Sequence, residues 1–130
     1  MKIILDKSKW ICGAQGDLNS LGKGRRGVLW NDEGYGCILG HVCLSLGIAE
    51  EVINGWALPI GSDDELLKKA NEIYTETGRV FAHLNDSNSI NLSNEDGSFK
   101  ERIDDPTPDQ RIEAIREVLG RCGHTLDVIN

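Results

Sequence analysis

The chain predicts an α+β fold, an antiparallel sheet of short strands packed with about three helices in a single domain. Three observations lead there. Apolar residues recur with a helical period in three stretches, near 38–46, 66–74 and 112–122. Between them lie short β-branched or aromatic runs bounded by turn residues. No repeat or linker divides the 130 residues, a length that buries a core without disulfides or a structural metal.

Residues 2–5 and 8–12 read as short strands, with Trp10 a packing residue. Residues 13–27 follow neither period and hold five glycines with Lys23, Arg25 and Arg26, which predicts a loop or long hairpin tip. A strand over 28–30 then meets the turn Asn31-Asp32-Glu33-Gly34. Ile38, Leu39, Val42, Cys43 and Leu46 form the stripe of a short apolar helix, and Gly47 suits the left-handed position past its end. That helix is expected at the buried centre.

The segment 48–61 mixes a single helical turn with Gly55, Pro59 and Gly61, so a connection is expected, pinned by Trp56. Ser62 to Glu65 has capping-box spacing for a second helix that buries Leu66, Leu67, Ala70, Ile73 and Tyr74 and ends at Gly78. Residues 79–84 alternate imperfectly and read as a strand leading into a polar turn at 85–88. Residues 88–105, rich in Asn, Ser, Asp and Gly, read as an exposed loop or hairpin. Thr107-Pro108-Asp109-Gln110 starts a third helix that runs to about Cys122, and a final strand covers 124–129.

Hydrophobic residues at 39% and charged residues at 27% describe a soluble domain with no run near the roughly 20 residues of a membrane span. The N-terminus is too short in apolar residues for a signal-peptide core, so a cytoplasmic protein with reduced thiols is expected. A net charge of −7 argues against a DNA or RNA polymer as partner. A few arginines can still hold a small anion, because the nearest charges dominate at short range.

Several groups bear on chemistry. Cys37-x3-His41-x-Cys43 contains zinc-type ligands, but Cys43 turns away from the other two on a helix and no CxxC pair exists, so no metal is expected. No serine sits in a nucleophile-elbow pattern, and no thiol has a base placed by sequence, so no enzyme is expected. Gly22-Lys23-Gly24-Arg25-Arg26-Gly27 lacks the Walker ending, yet its glycines and guanidiniums suit an anion; solvated charge is the plainer reading. Phe81, His83 and Asn85 would share one strand face, as a base-stacking ring with an amide. Ordinary core and an Asx turn are the plainer reading there. Arg111 lies in the first turn of the third helix, where free N–H groups also favour an anion.

LWNDEGYGCILGHVCLSLGI, the later Leu84-Asn85-Asp86 and RIEAIREVLGRCGHTLDVI together resemble the first family of phage anti-Thoeris proteins. Proteins of that family are sponges that sequester cyclic ADP-ribose-type immune signals without degrading them, and some also hold cyclic oligonucleotides. The resemblance implies a cytoplasmic protein of the infected bacterial host with no cofactor. It implies a homo-oligomer, a dimer or dimer-based hexamer, whose interface pockets bind a cyclic ADP-ribose isomer or a cyclic trinucleotide. Onto this sequence it carries Arg25, Arg26, Phe81, Asn85, Asn91 and Arg111 as ligand contacts, with the choice between Asn85 and Asn91 open. On that reading, loss of Arg111 would weaken binding and spare the fold. The alternative is an acidic phage protein that inhibits a host enzyme by direct binding, motivated by Asp104, Asp105, Asp109 and Glu113.

Overall fold

The computed structural model describes residues 1–12, 29–56, 59 and 63–130. Strand β1 (Lys2–Asp6) is followed by a 3-10 turn at Lys7–Lys9, then helices α1 (Ile38–Ser45), α2 (Glu50–Ile53), α3 (Glu65–Glu76) and α4 (Phe81–Asp86). Strands β2 (Ser89–Ser93) and β3 (Phe99–Asp104), helix α5 (Pro108–Arg121) and strand β4 (Thr125–Ile129) complete the order. The fold is α+β. Among the described residues the strands form two separate pairs: β2 with β3 antiparallel, and β1 with β4 parallel with Ile3 opposite Leu126.

Alternation along β1 buries Ile3 and Leu5 fully and leaves Ile4 half-exposed, so one face of the terminal pair lies on the core. Against it packs α1, in which every residue from Ile38 to Cys43 is buried. The helix reaches this position because Gly40 within it and Gly36 just before it have no side chain. A Cβ on Gly40 would lie 1.9 Å from the Leu29 carbonyl oxygen, and one on Gly36 would lie 2.2 Å from the same atom and 2.3 Å from the Trp30 ring. The centre of the molecule is therefore a close approach of backbone to backbone.

Local signals placed several elements correctly. Asn31 Oδ1 accepts from the Glu33 and Tyr35 N–H groups, and Gly34 takes a φ of +86°, which makes the expected turn. Thr107 and Gln110 form the reciprocal capping box of α5. Residues 88–105 form the β2–β3 hairpin.

Other elements differ. Residues 8–12 are not a strand: Asp6 accepts from the Ser8 N–H and starts the 3-10 turn, and Trp10 makes only a bridge to Gly36. Of the expected strand 28–30, Val28 lies outside the described residues, and among the described residues Trp30 makes an isolated bridge to Asn54. The cap of α3 is Asp64, whose Oδ1 accepts from the Leu66 and Leu67 N–H groups, and Ser62 lies outside the described residues. The expected strand at 79–84 is mostly helix. Gly78 and Arg79 both take left-handed φ values, which turns the chain sharply before α4. The expected antiparallel sheet is the β2–β3 pair, and β1 with β4 adds a parallel pair that the sequence did not indicate.

Candidate functional site

Three of the residues singled out above meet around α4, and all three face inward. Asn85 is 1% exposed. Its Oδ1 accepts from Trp10 Nε1 at 2.7 Å and from the Ile38 N–H at 3.0 Å. Its Nδ2 donates to the Ile11 carbonyl at 2.8 Å and to Asp86 Oδ1 at 2.6 Å. Both ends of the amide are occupied by the protein itself.

Arg111 is 2% exposed. Its Nη1 donates to the Leu84 carbonyl at 2.9 Å and its Nη2 to the Ser87 carbonyl at 2.5 Å. These two carbonyls lie at the end of α4, so the guanidinium caps that helix from α5. Burial lowers the pKa of Arg111, opposed by the neighbouring Cys12 and Asp86. Phe81 is 1% exposed and lies 6.2 Å from the Tyr74 ring centroid, tilted by 48°. The strand face that would have carried Phe81, His83 and Asn85 together is replaced by a helical turn.

Asn91 stands apart from these. It is exposed on β2, and its backbone N–H donates to His83 Nε2 at 3.0 Å. An accepting Nε2 puts the His83 proton on Nδ1, which faces Ser87 Oγ at 3.2 Å. Arg25 and Arg26 lie outside the described residues.

Asn91 lines an open cleft of about 270 Å³ between α3, α4, β2 and α5. Val80, Leu84, Leu92 and Val118 give it an apolar surface, and Glu76, Glu95, Glu117 and Arg121 supply its charges. Arg121 spans one side: its Nη2 donates to the Ser93 carbonyl and to Glu117 Oε1, both at 2.6 Å. Glu76 Oε1 meets His124 Nε2. Sequence reasoning missed this cleft, because the consecutive elements α3, α4 and β2 form it only where α5 packs back against them.

Cys12 and Cys43 are buried, and Cys37 and Cys122 are half-buried. Burial pushes Cys12 and Cys43 up to about 12, and Cys37 to about 11, so all three are held as neutral thiols. His41 is 2% exposed, packs edge-on to Trp30 at 5.1 Å, and is driven down to about 4, chiefly by burial. Among the described residues no group of three or more His, Cys, Asp or Glu side chains is placed to hold a metal ion.

The acidic cluster is largely paired. Asp109 meets Lys7 at 3.3 Å, Asp104 meets Arg102 at 2.9 Å, and Glu113 meets Arg116 at 2.5 Å. Local cations thus offset much of the negative face that motivated direct inhibition of an enzyme. Among the described residues no helix is long and apolar enough to cross a membrane. Comparison with protein-family models, with curated proteins and with solved structures gives no match.

Proposed function

We propose that the protein binds and sequesters a cyclic ADP-ribose-type signal, or a related cyclic oligonucleotide, without cleaving it, and so protects a phage from a host defence. The observation that carries this reading is the joining of three separate stretches on which the resemblance rests. The Cys37-Ile38-Leu39-Gly40 stretch meets Leu84-Asn85-Asp86 through the Ile38 N–H on Asn85, and the last helix meets the same stretch through Arg111 on the Leu84 carbonyl. The three stretches thus belong to one structural unit, which the resemblance requires of them.

The residue roles shift within this reading. Asn85, Phe81 and Arg111 hold the unit together, while Asn91 keeps an exposed side chain. The cleft beside Asn91 carries three carboxylates to one guanidinium, which repels a diphosphate. On this reading the phosphates are left to Arg25 and Arg26, which lie outside the described residues, and a base or ribose is left to Asn91. Neutral buried thiols are poor nucleophiles, in keeping with passive binding.

Calorimetric titration with cyclic ADP-ribose isomers and cyclic trinucleotides, followed by heat release and chromatography of the ligand, tests the proposal. Intact ligand from a tight complex is expected, with affinity at least about tenfold weaker in the Arg25→Ala, Arg26→Ala double variant. Altered ligand would make the protein an enzyme. Absence of binding would remove the sponge reading.

A further inference from the structure

The β2–β3 hairpin has two edges, and the fold treats them differently. On β2, side chains take the outward backbone groups: the Asn91 N–H donates to His83 Nε2 at 3.0 Å, and the Ser93 carbonyl accepts from Arg121 Nη2 at 2.6 Å. Asn91 stands directly opposite Arg102, so an Asn91 N–H aimed outward makes this a pair whose backbone groups point away from each other. The backbone groups of Lys100, Arg102 and Asp104 therefore face outward from β3. The next residue keeps the alternation, since the Asp105 N–H donates inward to the Asn88 carbonyl at 2.9 Å. Among the described residues no hydrogen bond reaches the outward backbone of β3, and every residue of that strand except Ile103 is exposed.

We infer that β3 pairs antiparallel with β3 of a second copy, joining two hairpins into one four-stranded sheet across a two-fold axis at Arg102. Charge complementarity selects this partner and this register. With Arg102 facing itself, Lys100 falls opposite the partner's Asp104, and Asp104 falls opposite the partner's Lys100. Each of these facing pairs exchanges two backbone hydrogen bonds. The two central guanidiniums are offset within their own strands, where Arg102 Nε donates to Asp104 Oδ1 at 2.9 Å. On the other face Phe99, 68% exposed, lies diagonal to the partner's Ile103, within reach of an aromatic ring. Neighbouring registers are worse. Centring on Glu101 sets Lys100 against the partner's Arg102, and centring on Ile103 sets Lys100 against the partner's Pro106, which has no N–H. Charges on an edge strand ordinarily keep copies apart, but these attract in one register. A single strand edge buries little area, so the association is weak and depends on concentration. The inference stands apart from the nucleotide proposal, because it needs no ligand.

Sedimentation velocity of the intact protein from about 1 to about 500 µM tests it, with a monomer–dimer equilibrium expected in that range. Lys100→Asp alone and Asp104→Lys alone each set like charges opposite one another, and each should weaken the dimer at least about tenfold. An equimolar mixture of the two variants regains both attractive pairs in a mixed dimer, so the dimer should return. Arg102→Pro removes the outward N–H at the centre and no bond to β2, and should leave a monomer. All three positions are exposed, and circular dichroism checks that the fold persists. A parent protein that stays monomeric throughout overturns the inference and leaves the charges as protection of the edge. So does a mixture as monomeric as its parts, which would deny the register. Undiminished association of Arg102→Pro also overturns it, because the contact would then lie elsewhere.

Discussion

Asn85 ties the 3-10 turn region, the start of α1 and the end of α4 to one amide, and Arg111 ties α4 to α5. Replacing a buried hub leaves its partners without partners, which costs more than the net value of the bonds. Asn85→Leu is therefore expected to destabilise by roughly 3 kcal/mol or more in urea unfolding, while Asn91→Leu stays within about 0.5 kcal/mol. Comparable losses at the two positions would mean that Asn85 does not carry these contacts. Arg111→Ala follows the same logic, so reduced ligand binding by that variant would report lost fold. His41 gives a pH dependence. Its pKa is about 4 in the folded chain against an ordinary 6.5, so between these values the unfolded chain takes up a proton that the folded one refuses. Stability is complete above about 6.5 and is lost as pH falls toward 4, by up to roughly 3 kcal/mol from this group. His41→Gln should remove that share, and parallel acid loss in both proteins would assign it elsewhere.

At the scale of elements, what decides legibility is whether the signal is local. The start of α5 is written in four consecutive residues, and the turn at Asn31 in another four, so both were readable. Helix α4 was not, because six residues that alternate imperfectly are set as a helix by partners elsewhere: the Arg111 guanidinium at its carboxyl end and the Asn85 network on its inner side. Packing also reverses a rule of propensity. Alanine for glycine inside an exposed helix stabilises by about 1 kcal/mol. Gly40→Ala in α1 puts a methyl group 1.9 Å from the Leu29 carbonyl oxygen, with backbone on both sides of the clash. The expected outcome is a loss of several kcal/mol, or no folded protein, measured by thermal unfolding beside Gly120→Ala, where nothing lies within 4 Å. A Gly40→Ala protein as stable as the parent would refute the close approach of α1 to Leu29.

At the scale of the molecule, the sequence could yield the α+β class but not the pairing, because β1 and β4 meet from the two ends of the chain and nothing local records a parallel register. The candidate residues show the same limit. Arg111 and Phe81 have the right chemistry for a ligand, and only tertiary structure reveals that they spend it on the core. The core itself runs continuously from β1 through α1, α3, α4 and α5 to β4, with Cys12 and Cys43 both fully buried within it. A continuous core argues for one cooperative unit. Native-state thiol labelling, read by peptide mapping while urea is raised, measures this directly. Both thiols require opening before they react, since burial removes them from solvent and holds them protonated up to about 12. For one unit, the opening energies of Cys12 and Cys43 fall with the same urea slope as global unfolding. A shallow slope at Cys12 alone would mean that the core around Cys12 opens independently of the rest.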